Sequence, residues 1–291
     1  MESSSEISVK DISHDPSYYS KAFNVFVRHS TEHQMLATWV ETIFPRTIVE
    51  NIPISKHNQE KKLEILGFGS GTGDLDFKMI AQLLKKFPSI SNTVVEPNPD
   101  HIVEYKKLVA SKSFGSDVDF NWRQQTWQEY LSRVSAAQQI KKFHFISAIH
   151  SLYYVEDPES TILDIVSCLD EGGILLLVLI SENGGVIRQH KRFLSDAQRV
   201  VGSETICKIL EKCQLKFEAF TENSTIDIAC CYEAGNQDGV LLADFINNVK
   251  LQESGPPSFV EEVLSYMREG AIQNGDQILL ETEWQVIVVT K

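Results

Sequence analysis

The chain has 291 residues, 42% apolar and 23% charged, with 15 Gly and 9 Pro, a globular composition that argues against long disorder. Twenty-seven basic against 40 acidic residues leave a net charge of −13 with no basic cluster longer than two, so a phosphate backbone is repelled and nucleic acid is not an expected partner. The longest apolar run, residues 174–180, is far short of the roughly 20 needed to cross a bilayer. No membrane association and no secretory signal are expected, and the five cysteines, odd in number and never spaced C-x-x-C, read as reduced thiols of a cytoplasmic protein.

In chain order, residues 1–15 are Ser- and Asp-rich and are expected to be disordered up to Pro16, which suits the first turn of a helix. Tyr19, Phe23, Phe26 and Val27 then recur at helical spacing, and the early helix is predicted over 16–43. A polar linker follows over 52–62. Strands are predicted at 63–67, 93–96, 118–122, 143–149 and 174–180, alternating with helices at 74–86, 99–112, 127–137 and 158–169. That alternation indicates βαβ units and a parallel sheet covered on both faces. A helix at 204–213, a strand at 216–221, helices at 240–249 and 258–267 and a last strand at 284–290 complete the chain, without internal repeats. The expected organisation is one domain over 16–291, with a core at about 61–181. Segments 16–44, 182–202 and 222–270 lie outside the alternation, placed to cover a crevice at the carboxyl ends of the strands.

The most informative stretch is Leu66-Gly67-Phe68-Gly69-Ser70-Gly71-Thr72-Gly73-Asp74, between a strand and a helix. Glycines at every second position allow a sharp turn and close approach of a ligand. The dinucleotide fingerprint G-x-G-x-x-G/A is not met, because Thr72 and Asp74 stand where the third glycine belongs. G-x-G-x-G instead resembles the loop of S-adenosylmethionine methyltransferases, and Asp74 at a helix start is better tolerated near a sulfonium than near a pyrophosphate. Glu96, at the end of the second strand and 23 residues beyond Gly73, is placed to accept hydrogen bonds from ribose hydroxyls, a role that NAD and S-adenosylmethionine sites share.

Other residues carry less specific signals. His150, Tyr153 and Tyr154 follow the fourth strand and fall at the carboxyl edge; a core or turn role for His150 weighs about evenly with a functional one. His29-Ser30-Thr31-Glu32-His33-Gln34 has the H-x-x-E-H order of one metalloprotease group, but no further ligand follows and no metal is expected. Glu32, on a helix bearing Tyr19, Phe23 and Phe26, suits a cationic or imidazole-bearing substrate, with a solvated helix acid as the plain alternative. Cys230-Cys231 has no triad context.

From about Tyr18 to the C-terminus the chain resembles the histamine N-methyltransferase family. The resemblance rests on Phe26 with His29-Ser30-Thr31-Glu32-His33-Gln34, the glycine loop, Val94-Val95-Glu96-Pro97, Leu152-Tyr153-Tyr154-Val155, Ser224-Thr225-Ile226-Asp227-Ile228, and Gly235-Asn236 through Asp244-Phe245. It implies a Rossmann-like, seven-stranded α/β methyltransferase sheet with helices on both faces and a substrate-covering lid, acting as a monomer. It also implies methyl transfer from S-adenosylmethionine to an imidazole nitrogen of a small molecule. The cofactor contacts it implies are Gly67, Gly69, Gly71, Glu96, His101, Thr126, Trp127 and Ile149. Substrate contacts fall on Tyr19, Phe23, Phe26, Glu32, His150, Tyr153, Tyr154, Phe245 and Thr282, with Glu32 and His150 in the catalytic role. The chain departs from the family at His150, which replaces Gln, at Thr282, which replaces Asn, and at Val186 and His190, which replace two Trp. Arg188 and His190 in that altered lid are placed to partner a carboxylate, so carnosine and related imidazole compounds enter as acceptors beside histamine. The alternatives are a non-catalytic S-adenosylmethionine-binding protein and, disfavoured by the glycine spacing, an NAD-type oxidoreductase.

Overall fold

The computed structural model describes residues 9–53, 62–112, 114–136, 141–194 and 201–291, with Tyr154 described in its backbone only. Helix starts follow local chemistry. Pro16, Pro99, Pro158 and Pro257 occupy first turns, where a missing N–H costs nothing. The side chains of Asp15, Asn98 and Asp157 accept first-turn N–H groups of three of these helices. The strands are β1 (Leu63–Phe68), β2 (Ile90–Val95), β3 (Val118–Arg123), β4 (Phe143–Ile149), β5 (Leu169–Ile180), β6 (Lys216–Asp227), β7 (Ala271–Asn274) and β8 (Gln277–Thr290). The helices are α1 (Pro16–His29), α2 (Glu32–Thr42), α3 (Asp74–Leu83), α4 (Pro99–Ser111), α5 (Trp127–Ala136), α6 (Pro158–Cys168), α7 (Gly185–Phe193), α8 (Ser203–Lys212), α9 (Gln237–Asn247), α10 (Leu251–Ser254) and α11 (Pro257–Glu269).

Seven strands form the sheet in the order β3-β2-β1-β4-β5-β8-β6, and β7 pairs with β8 off that path. β1 pairs in parallel with both β2 and β4, β2 with β3, and β4 with β5. Lys291 exchanges hydrogen bonds with Gly172 and Gly173, whereas Ser181 donates to the Glu283 carbonyl at 2.7 Å; β8 therefore runs against β5. All six residues of β2 are buried, Ser91, Asn92 and Thr93 among them, and successive strand residues point to opposite faces, so both faces are covered there. Chain order reverses at β1, with β2 on one side and β4 on the other, the switch point at which open α/β sheets hold ligands.

The chain divides into two compact units where the sequence predicts one domain. The first takes the described residues up to Met35, those between Ile180 and Gly202, and Thr221–Trp284. The second takes those between Leu36 and Leu179, with Ser203–Phe220 and Gln285–Lys291. The first unit takes 16–35, 182–194 and 222–270 of the segments that the sequence sets outside the plain alternation, whereas 36–44 fall in the second; the core of the first includes Val25, Ile226, Leu242, Ile246, Val263 and Leu280. Phe44, Phe143, Phe145 and the interior of β5 fill the second core.

Several features differ from the sequence expectation. Residues 11–15 are ordered: Asp11 bridges Val249, and Ile12, fully buried, starts a short 3-10 turn. The early helix is two helices, α1 and α2, separated at Ser30-Thr31, where Ser30 pairs with Ile226 and the Thr31 N–H donates to the Thr225 carbonyl. The His-Ser-Thr-Glu-His-Gln run therefore spans a helix break instead of lying within a helix. α7, α10 and β7 are additions, and β5, β6 and β8 are longer than expected.

Candidate active site

In the second unit, the expected cofactor residues converge on the carboxyl ends of β1, β2 and β4. The loop after β1 is tied down by the Gly69 N–H, which donates to the Val95 carbonyl at 2.8 Å. Glu96, directly after β2, is buried. Its two oxygens accept the backbone N–H of Gly71 and of Asn98, each at 2.9 Å, and His101 Nδ1 lies 3.5 Å from Oε1. A carboxylate has about four lone-pair sites, so Glu96 keeps capacity for two further donors.

The glycines have different reasons to be there. A Cβ on Gly67 would lie 2.5 Å from Asp76 Oδ2, and one on Gly69 2.5 Å from Ser151 Cβ, whereas Gly71 has nothing within 4 Å of that position. Close packing of the chain against itself thus accounts for Gly67 and Gly69. Gly71 alone leaves open space for a ligand. Beneath the loop, Asp76 accepts from the Tyr105 hydroxyl at 3.4 Å, and Asn92 donates to the same hydroxyl. Burial pushes Asp76 up to about 6 against the pull of the Ser70 and Tyr105 hydroxyls. The sequence gives no hint of Asp76 in this place beyond its position in the first turn of α3.

The loops after β3 and β4 supply the remaining groups. Thr126 and Glu129 cap α5 reciprocally, the Thr126 N–H donating to Glu129 Oε2 at 2.8 Å and the Glu129 N–H to Thr126 Oγ1 at 3.2 Å. Thr126 is thus committed to the helix start. Trp127 is fully buried against Phe68, ring centroids 5.4 Å apart. Among the described residues, Trp127 Nε1, Gln125 Oε1 and Ser151 Oγ are buried without a hydrogen-bond partner. Gln125 and Ser151 were not expected; each adjoins an expected residue, and only the accounting of buried polar atoms finds them. Ile149 ends β4, and His150 takes a left-handed φ of 49°, uncommon outside glycine and held here by its N–H donating to the Val178 carbonyl at 2.9 Å. Its Nδ1 is 2.9 Å from the Tyr153 hydroxyl. The Tyr154 side chain lies outside the described residues.

In the first unit, Tyr19, Phe23 and Phe26 lie along one face of α1, and Phe245 of α9 meets all three, at 5.6, 5.8 and 4.7 Å between ring centroids. All four are half-buried, a continuous aromatic wall. Glu32 opens α2 just past the helix break, 6% exposed, its N–H donating to Ser30 Oγ at 3.1 Å. Thr282 is buried with Oγ1 unpartnered. His190 does not offer itself to a substrate carboxylate: it is buried, with Nε2 2.9 Å from the Ile246 carbonyl. Arg188 is exposed.

The second unit's residues fit S-adenosylmethionine. Glu96 has acceptor sites to spare, and Gly71, whose N–H it holds, leaves open space, the combination that hydroxyls of a nucleoside need. The comparisons with known proteins agree. Residues 29–219 match the family described as "Methyltransferase domain". Histamine N-methyltransferase A of Xenopus laevis is 32% identical over 285 residues, covering 94% of this chain and 96% of that protein. Carnosine N-methyltransferase 2 of Gallus gallus is 35% identical over 239 residues, 80% of this chain and 73% of that protein. The YcgJ protein from Bacillus subtilis shares the fold, with a TM-score of 0.53 at 12% identity over 85% of this chain and 97% of its own. The chain belongs to the histamine N-methyltransferase family and is a small-molecule N-methyltransferase that uses S-adenosylmethionine.

Proposed function

We propose that this enzyme methylates an imidazole nitrogen of a small molecule, histamine or a relative such as carnosine or a histidine derivative, and that histamine is not its best acceptor. The observation that carries the reading is the aromatic wall of Tyr19, Phe23, Phe26 and Phe245 in the same compact unit as the buried Glu32. Aromatic faces grip a flat heterocycle and favour the positive charge that develops on it. The names of two similar proteins, a histamine and a carnosine N-methyltransferase, point to the same acceptor class. Thr282 in place of an amide, and Val186 and His190 in place of two indoles, argue against histamine as the best fit. We further propose that the protein acts as a monomer in the cytoplasm; among its described residues, no helix is long and apolar enough to cross a membrane.

Bound S-adenosylmethionine supplies an activated methyl group. The chain's own work is then to position and to manage one proton. Glu32 accepts the N–H of the ring nitrogen that does not react, keeping the other lone pair free and stabilising the imidazolium as it forms. His150, fixed by its backbone bond and by Tyr153, holds the ring's orientation together with Tyr153 and Tyr154. Gly71, Glu96, His101, Trp127 and Ile149 are proposed to hold the cofactor, with Gly67, Gly69 and Thr126 contributing through the backbone of the loops that they shape.

The test is a methylation screen of imidazoles and amines read by mass, run on wild type and Glu32→Gln. The expected result is product on an imidazole other than histamine at the highest kcat/KM, and a fall of at least ten-fold in Glu32→Gln with unchanged cofactor affinity. Cofactor binding without turnover on any imidazole overturns the acceptor class. Histamine outperforming every other imidazole overturns the preference.

A further inference from the structure

The aromatic wall is built from two helices, and a wall of that kind is only as well defined as the contact between them. Two polar contacts join α1 and α9 among those described. At one end Arg28 and Asp238 form an ion pair at 2.7 Å, both side chains about half exposed; such pairs contribute little once solvent screens them. At the other end the Tyr18 hydroxyl donates to Asp244 Oδ2 at 2.5 Å, a short, charge-assisted bond to a carboxylate only 3% exposed. Asp244 Oδ1 accepts the Leu251 N–H at 3.0 Å, which also ties α10 to this point.

Position in sequence gives this bond its reach. Tyr18 directly precedes Tyr19, and Asp244 directly precedes Phe245, so the bond lies one residue from the Tyr19–Phe245 contact on each helix. Phe245 is the one ring that α9 contributes among the aromatic contacts described, and three rings of α1 rest against it. A shift of α9 along α1 changes all three contacts together. Tyr18 itself is held from both sides: its N–H donates to Asp15 Oδ1 at 3.1 Å, and Lys250 Nζ, paired with Asp15 at 2.8 Å, lies 4.5 Å from the centre of its ring. Burial and then Asp244 push the Tyr18 phenol well above its ordinary range, so it stays a donor.

We propose that the Tyr18–Asp244 hydrogen bond pins α1 to α9 and thereby sets the spacing of the aromatic wall, making Tyr18 and Asp244 positioning residues for the acceptor. The proposal rests on the reading that the wall takes the acceptor. It predicts a specific division of effects. Loss of the pin weakens acceptor binding through the wall, while cofactor binding and the chemical step are left alone.

The experiment uses the full chain as Tyr18→Phe, Asp244→Asn, Phe245→Ala and, as a control for the exposed pair, Arg28→Ala. Three quantities are measured: cofactor Kd by calorimetry, kcat and KM for the best imidazole of the screen, and Tyr19–Phe245 ring proximity in cofactor-free protein by NMR. Tyr18→Phe is expected to raise acceptor KM at least five-fold, with kcat and cofactor Kd within two-fold, and to loosen the ring contact. Asp244→Asn offers one oxygen to two donors, so a rise of at least two-fold in KM is expected; this second variant keeps the test alive should Tyr18→Phe not fold. Arg28→Ala is expected to leave KM unchanged. Unchanged KM in the pin variants with the rings still in contact overturns the pin, and a KM rise in Phe245→Ala then leaves the acceptor reading standing. Rings that separate without any rise in KM, together with an inert Phe245→Ala, overturn the pin's role along with the acceptor reading beneath it.

Discussion

Glu96 shows what one side chain can carry. Both of its oxygens already accept a backbone N–H, from Gly71 and from Asn98, so its carboxylate shapes the loop before any cofactor arrives. Glu96→Ala therefore removes the proposed ribose acceptors and two internal bonds together. A fall of about ten- to a hundred-fold in S-adenosylmethionine affinity is expected, about 1.5–3 kcal/mol for a charge-assisted partner, with Glu96→Gln intermediate because the amide oxygen still serves one donor. Titration calorimetry decides it: wild-type affinity in Glu96→Ala sinks the ribose assignment. The placement of Glu96 was legible in the sequence, because the end of the second strand after a glycine loop is itself a sequence feature. Asp76 was not. Its role exists only through Gly67, Tyr105 and Asn92, which the fold brings to it from other elements.

Among the elements, helix and strand starts were read well wherever the local chain decides them, as at Pro99, Pro158 and the glycine loop. The break between α1 and α2 was missed because nothing local forces it. The helical spacing continues through it, and the break is made by Ser30 and Thr31 pairing with Ile226 and Thr225, some 195 residues away in sequence. The distal half of β6, Glu-Asn-Ser-Thr-Ile-Asp, lacks strand alternation and is likewise held by pairing from outside. The glycine loop makes the same point in energy. Gly73 sits at φ +82°, and a Cβ there would lie 2.2 Å from the Tyr105 ring; at Gly71, φ is +56° with nothing within 4 Å. Gly73→Ala adds overpacking to backbone strain, about 2–4 kcal/mol of destabilisation. Gly71→Ala adds strain alone, about 1 kcal/mol, yet intrudes on the space left for the cofactor. Thermal melts and cofactor titration on both variants check this: Gly73→Ala is expected to lose more in Tm, and Gly71→Ala to lose cofactor affinity while remaining folded. Equal melting temperatures would show that Tyr105 yields to the new methyl group.

At the scale of the whole molecule, 40 acidic residues against 27 basic ones make stability a matter of where the carboxylates lie. Half-buried Asp15 and exposed Glu41 and Glu253 are each held below their ordinary range first by a lysine partner, so what they contribute is present at neutral pH and lost on acidification. Buried Asp76 and Asp244 run the other way. Burial raises each from 3.8 to about 6. An acid whose folded value is raised favours folding while it is protonated, so its contribution is complete below about 3.8 and is lost as pH climbs through about 6. The sequence shows the acid excess but not which acids are buried, and so not the sign for any of them. Comparing Asp76→Asn with wild type at each pH removes the exposed pairs from the balance, since both proteins carry them. The variant, which keeps an oxygen for the Tyr105 hydroxyl, is expected to melt higher than wild type at pH 7.5, with the advantage shrinking below pH 6 and gone near pH 4. An advantage that stays constant with pH, or that grows on acidification, would mean that Asp76 is ionised in the folded protein across the whole range and that its neighbours, not its burial, set its charge.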